Sequence, residues 1–368
     1  MIRSFLLSTI LFVTCAANCQ KYFLFIGTYT TKDNRGIYVY TFDASTGKAQ
    51  QVSNTEGVMI PSYLALSPGG KFLYACNETA AGTVSAFRFD RTKGRLFFIN
   101  KQPSGGADPA YVSVHRSGKW VIAANYTGGS LSAFPVNPDG SLQPYSQLIK
   151  HSGHSINKER QEAPHVHATV FSPEEDHLLA TDLGLDRVMI YKFDAFLKQP
   201  LHMAEPPFIS TEPGSGPRHL MFHPNKRWAY LMEEMGGMVI AYKYEKGRLK
   251  AFQKIAAHAD TATGEFRSAD IHVSPDGKFL YGSNRGTENN IAVFSIDKNG
   301  KLSLLGLQST MGLTPRNFTI DPSGNYLLAA NQETNNIVIF KRDTNTGMLT
   351  YTGEQINIFE PVCLKMIK

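Results

Sequence analysis

One short phrase returns along this chain and decides what it can fold into. An apolar run ends in Ser, His or Asp, a turn follows that usually opens with proline, and an aromatic-rich run comes next. It reads Ser67-Pro68-Gly69-Gly70-Lys71-Phe72-Leu73-Tyr74, and returns at 115–120, 172–177, 223–230, 274–281 and 321–326. The stretch 163–194 shows one unit whole, with runs ending at Ser172-Pro173, at Asp182 and at Phe193. Aligned on Pro68, Arg116, Pro173, Pro224, Pro275 and Pro322, the units recur every 47 to 57 residues. Self-similarity at this period marks an array of like units, not two or three separate domains.

Each unit holds four short strands, named a to d in chain order. Strand a is the apolar run before the turn and strand b the run after it. Strand c alternates, as at 83–89, and strand d follows a Gly turn of the Asp-Gly or Asn-Gly kind, which permits positive φ. Six units are complete. The first segment, 21–56, has strands b, c and d but no strand a, whereas 361–366 mimics 61–66 at the far end of the chain. A chain whose last strand completes its first unit closes a ring and leaves no open sheet edge. The expected fold is therefore all-β, a seven-bladed β-propeller spanning 21–368.

Residues 1–20 stand apart. Arg3, an apolar stretch at 5–13 and small residues at 16–18 form a secretory signal, too short to span a bilayer stably. The expectation is an exported, periplasmic or secreted protein, with a lipid anchor on Cys15 or Cys19 as the lesser alternative. Cys76 and Cys363 are too few for a disulfide framework or a metal set. Lys and Arg outnumber Asp and Glu by 37 to 31 but are scattered, so a nucleic-acid partner is not expected. No membrane span is expected, and a monomer is.

In antiparallel blades the start of strand a lies beside the end of strand b, so both sets of residues gather at one mouth of the channel. Six residues before each turn position stand Ser62, Ala110, His167, Arg218, Ala269 and Arg316, with Val362 in the terminal strand. Strand b ends in Asn77-Glu78, Asn125-Tyr126, Asp182-Leu183, Glu233-Glu234, Asn284-Arg285 and Asn331-Gln332. His167, Arg218, Glu234, Arg285 and Arg316 thus share one cavity, with His165, His219, Asp182 and Asp270 beside them. Asn77, Asn125 and Asn331 read as turn-bonding residues. Asp182 and Asp186 can equally tie the b–c turn. A cluster of guanidiniums implies a small anionic ligand or fixed countercharge. The pair His165 and His167 lacks a third ligand, so no metal or other cofactor is expected.

Taken together, the motifs resemble the seven-bladed lactonase propellers, typified by bacterial 6-phosphogluconolactonase and related to fungal carboxy-muconate cyclase. They are Arg160-Gln161, Pro164-His165-Val166-His167, Asp182-Leu183-Gly184-Leu185-Asp186-Arg187, Gly216-Pro217-Arg218-His219, Ser283-Asn284-Arg285-Gly286, Pro315-Arg316-Asn317 and Ala330-Asn331-Gln332. The resemblance implies a catalytic set at His167 (or His165), Arg218, Glu234 and Arg285. It implies hydrolysis of a sugar lactone, 6-phosphogluconolactone in the family. Glu234 or His167 would activate water, Arg218 and Arg285 would stabilise the oxyanion, and His165, Asp182, His219 and Arg316 would bind substrate. Glu233-Glu234-Met235 departs from the family's Asn-Glu-Leu, and the export signal departs from a cytoplasmic enzyme. The alternatives are a muconate-type lactonising or isomerising enzyme and a non-catalytic exported propeller that binds a small anion or a protein.

Overall fold

The structure, a computed structural model, describes residues 20–29 and 36–368. The expected secretory segment, with Cys15 and Cys19, lies outside the described residues apart from Gln20. Among the described residues the chain forms seven four-stranded antiparallel sheets. Strands a are Pro361–Ile367, Pro61–Leu66, Pro109–Val114, Val166–Phe171, Pro217–Phe222, Ser268–Val273 and Pro315–Ile320 in blades 1 to 7. Each touches the next, and the last touches the first, so they line a closed ring. As the repeat required, blade 1 pairs Pro361–Ile367 with Lys21–Thr28, joining the two ends of the chain. No helix among the described residues is long and apolar enough to cross a membrane.

The recurring phrase does two jobs. Within a blade, the residue before the turn closes the a–b hairpin: Ser67 N–H donates to Phe72 O at 2.9 Å and Ser274 N–H to Phe279 O at 2.8 Å. Between blades, the aromatic opening strand b packs under the c–d turn of the next blade. Gly140 sits on Phe72, Gly300 on Trp228 and Gly347 on Phe279. Gly300 has φ 84°, and a Cβ there would lie 2.5 Å from the Trp228 ring, so both the backbone angle and the space demand glycine. The tyrosine two residues further on bonds the same turn: Tyr230 Oη donates to Gly300 O at 3.0 Å and Tyr281 Oη to Gly347 O at 2.7 Å. The motif is thus a clamp from each blade to its successor.

A further regularity places the site. At the head of every strand a the register slips by one residue, as between Pro61 and Tyr63, Val166 and Ala168, or Pro217 and His219. Such a bulge leaves one residue without a cross-strand partner and re-aims its side chain. In six blades that residue is Ser62, Ala110, His167, Arg218, Arg316 or Val362, while in blade 6 the slip spans Ala269 and Asp270.

Ring closure rests on buried contacts of the last strand. Val362, Cys363 and Leu364 are nearly inaccessible, and Cys363 Sγ accepts a hydrogen bond from Leu64 N–H at 3.3 Å in the next blade. Cys76 and Cys363 are free thiols. Replacing Leu364 by Ala should cost about 2–5 kcal/mol of stability, because it opens a cavity in a sealed core. A chain ending at Phe359 should show no cooperative thermal transition by calorimetry, since blade 1 loses strand a.

Candidate functional site

Four guanidiniums gather at the mouth of the ring. Glu234 lies at their centre: Arg218 Nε and Arg285 Nη2 stand 2.9 and 3.0 Å from its Oε2, and Arg160 Nη2 stands 2.7 Å from its Oε1. Its side chain is only 5 % exposed. Burial alone would raise the carboxyl's pKa; Arg285, then Arg218 and Arg160, overcome this and hold it well below the usual carboxylate range. Glu234 is an anion at any working pH. The fourth guanidinium, Arg316, stacks over the Tyr29 ring at 5.2 Å and lies 4.0 Å from Glu78 Oε1, while Tyr29 Oη donates to Glu78 at 2.8 Å.

Donors remain for a ligand. Arg218 bonds Ala269 O through Nη1 at 2.6 Å, and Arg285 bonds Arg267 O and Ser268 O through Nε and Nη2. Arg218 Nη2 and Arg285 Nη1 donate to no protein group among the described residues. Burial and the neighbouring Arg285 and Arg316 pull the Arg218 pKa down to about 9, so it stays charged at neutral pH, but at a cost. An incoming anion would relieve that cost.

His167 stands with its Nε2 4.0 Å from Glu234 Oε2, and its buried Nδ1 has no hydrogen-bond partner. Burial, then Arg218 and His219, push its pKa well below 6.5, so it is neutral. His219 Nδ1–H donates to Asp270 at 2.8 Å, and burial with Arg218 lowers its pKa to about 3. Asp270 in turn accepts from His272 at 2.9 Å and from Asn317, tying blades 5, 6 and 7 together beneath the cluster. Four guanidiniums thus face three carboxylates, Glu78, Glu234 and Asp270, with His167 and His219 neutral, and the mouth carries excess positive charge. On the ring axis a cavity of about 10 Å³ is lined by Ser62, His167, Arg218, His219 and Arg316, with room for about one water.

The structure brings His167, Arg218, Glu234, Arg285 and Arg316 together, as the repeat implied. It also separates the two glutamates: Glu233 is fully buried away from the cluster, 3.2 Å from Lys254 Nζ, and burial raises its pKa. Three expected substrate contacts sit otherwise. Asp182 is fully buried, with Oδ1 accepting from His165 N–H at 2.8 Å and Leu185 N–H at 3.2 Å, and Oδ2 bonded to His151 Nδ1 at 2.6 Å. It is a structural tether, because both its oxygens are occupied. The His165 ring stacks on Tyr126 at 4.6 Å and bonds Glu162 at 3.2 Å, behind the first ring of contacts. His219 spends both nitrogens on Asp270 and Arg218. Asn77, Asn125 and Asn331 each bond a backbone carbonyl, as turn residues should.

Sequence reasoning missed Arg160 and Tyr126 as site residues, and likewise Glu78 and Tyr29. Tyr126 and Glu78 occupy the same place after strand b as Glu234 and Arg285, which was the available signal. Arg160 belongs to an inserted loop with no counterpart in other blades.

A closed seven-bladed ring with buried arginines around one carboxylate, and no group of residues suited to a metal among those described, defines a polar-channel propeller built for a small anion. A family model described as "Lactonase, 7-bladed beta-propeller" matches residues 23–366, and the chain belongs to that family, a family of lactone hydrolases. A protein of Formosa agariphila named 6-phosphogluconolactonase is 41% identical over 349 residues, 93% of this chain and 99% of that one. Among solved structures, a putative 6-phosphogluconolactonase from Bacteroides fragilis superposes with a TM-score of 0.91 at 43% identity, covering 95% of this chain and 98% of that one. A Pseudomonas aeruginosa periplasmic gluconolactonase gives 0.91 at 34% identity, covering 95% and 99%.

Removing the central carboxylate should leave the buried Arg218 and Arg285, and the more exposed Arg160, uncompensated. Glu234→Gln should cost about 3–5 kcal/mol of stability. Because the folded-state pKa of Glu234 lies below its ordinary 4.5, its contribution is present above that pH and is lost as pH falls. Calorimetry at neutral pH should therefore show a lowered Tm for the variant, partly restored by added phosphate, and a gap from wild type that narrows on acidification.

Proposed function

We propose that this protein hydrolyses a sugar lactone at the mouth of its channel, with 6-phosphogluconolactone the substrate suggested by its named relatives. The observation that carries the reading is Glu234 among Arg160, Arg218 and Arg285 with guanidinium donors to spare. Opening an ester ring puts negative charge first on the carbonyl oxygen and then on the product carboxylate. Arg218 Nη2 and Arg285 Nη1 supply fixed positive donors for both, and Arg316 adds charge from the axial side.

Water needs a base. Glu234 is a poor one, because three guanidiniums hold its pKa far below the working pH. His167 is the better assignment: it is neutral, its Nε2 lies 4.0 Å from Glu234, its Nδ1 has no partner, and it lines the axial cavity. Arg218 depresses its basicity. A bound anion offsets that charge, so His167 becomes a stronger base when substrate is present. Asp182 and His219 then act by holding the frame, and His165 supports Tyr126.

Residues 1–20 support export, and the periplasmic gluconolactonase relative fits that location. An exported enzyme would meet lactones outside the cytoplasm. A muconate-type reaction or a non-catalytic anion-binding propeller would use the same arginines without consuming water at an ester.

Base consumption at constant pH by the chain from Lys21, with 6-phosphogluconolactone and gluconolactone in parallel, tests the reading. Wild type should exceed the spontaneous rate with at least one lactone, and Arg218→Ala should lose about 10²–10³-fold of that excess. No excess with either lactone would reject hydrolysis. A second expectation concerns pH. Activity should fall as His167 protonates, on an acid limb below pH 6.5, since its pKa is lowered from that value. Arg316 is one of the charges lowering it, so Arg316→Gln should move the limb of kcat/KM to higher pH. An unmoved limb would remove His167 from the role of base.

A further inference from the structure

We propose that Arg160 is a specificity-determining residue that binds an anionic substituent of the substrate remote from the ester carbonyl. The proposal rests on the lactone-hydrolase reading above and names which lactones that site prefers. Three observations lead to it. The first is depth: the Arg160 side chain is 39% exposed, against 2%, 11% and 20% for Arg218, Arg285 and Arg316. The second is spare capacity. Arg160 engages only Nη2, toward Glu234 Oε1 at 2.7 Å and Tyr126 Oη at 3.3 Å, so its Nε and Nη1 donate to no protein group among the described residues. The third is room. The axial cavity beside Arg316 holds about one water, so a sugar ring does not fit inside it, and Arg160 does not line it but stands at the exposed side of Glu234.

Arg160 is also built into place. The loop 151–163 that carries it is fastened to blade 4 at three points. His151 bridges Asp182 at 2.6 Å and Tyr191 Oη at 2.7 Å; Ser155 Oγ donates to Asp186 Oδ2 at 2.5 Å; Gln161 Nε2 donates to Leu183 O at 2.8 Å. Asp186 sits in the left-handed region at φ 51° and also accepts from Gly214 and Gly216 N–H. Asp182, expected to bind substrate, and Asp186 instead fix a strap from which Arg160 reaches the mouth. A fixed guanidinium with donors left on Nε and Nη1 suits a phosphate ester.

Kinetics with 6-phosphogluconolactone and gluconolactone on wild type, Arg160→Ala, Arg160→Lys and His151→Ala test this. Arg160→Ala should raise KM for the phosphorylated lactone roughly 10- to 100-fold, the worth of one charged hydrogen-bonding group. Loss of the Arg160 contact with Glu234 should alter turnover too, but by the same factor for both lactones, so the diagnostic reading is the ratio of the two KM values. Arg160→Lys should recover part of the preference. His151→Ala, which releases the strap without touching the mouth, should raise KM for the phosphorylated lactone alone. Equal changes in KM for the two lactones, or none, on replacing Arg160 would overturn the proposal while leaving hydrolysis standing. Intact preference in His151→Ala beside a lowered Tm would overturn the positioning role of the strap. Hydrolysis of neither lactone by wild type would instead remove the reading on which the proposal stands.

Discussion

Each innermost strand carries one residue more than its neighbour can pair, and that surplus is what the channel is made of. The slip recurs at the head of all seven strands, so the ring presents a set of unpaired positions at one end. Three blades spend them on Ser62, Ala110 and Val362, small or apolar residues, and blade 6 on Ala269 with Asp270. Three spend them on His167, Arg218 and Arg316. The backbone solution is common to every blade, and function enters only through which side chain fills it. The Thr181 hydroxyl shows how the kinks are secured: it accepts from Ala168 N–H at 3.1 Å and donates to Arg218 O at 2.6 Å, binding the bulges of two blades.

Charge then does what geometry alone cannot. Buried guanidiniums repel, and Glu234 makes the cluster tolerable by sitting between three of them. The same contact disqualifies it as a base, since a carboxylate so stabilised gives up little by staying ionised. The structure keeps its histidine neutral by the opposite arrangement, surrounding His167 with cations and no aligned acceptor. One set of arginines therefore holds the carboxylate ionised, the imidazole neutral and the oxyanion position positive.

How much of this the sequence revealed depends on whether a feature repeats. The turn residues, the ring closure through 361–366 and the shared mouth positions follow from comparing units, because the same backbone task selects the same residue types. Asp182 could not be placed that way. A carboxylate after strand b can face a ligand or tie a turn, and only the donors around it (His165 N–H, Leu185 N–H and His151) decide. Arg160 was hidden for the converse reason: its loop occurs once, and sequence position does not tell how far a loop folds back. Glu233 and Glu234 are adjacent in sequence yet face different environments, because Glu233 ends its strand and Glu234 opens the turn that follows.

The central claim is that the arginine-bound Glu234 marks the place where an anionic lactone is opened. A crystal structure with the product 6-phosphogluconate tests it most directly. The account predicts the product carboxylate within hydrogen-bonding distance of Arg218 and Arg285 and the phosphate against Arg160. Product bound outside the channel mouth, or in the mouth without contact to Arg218 and Arg285, would contradict it.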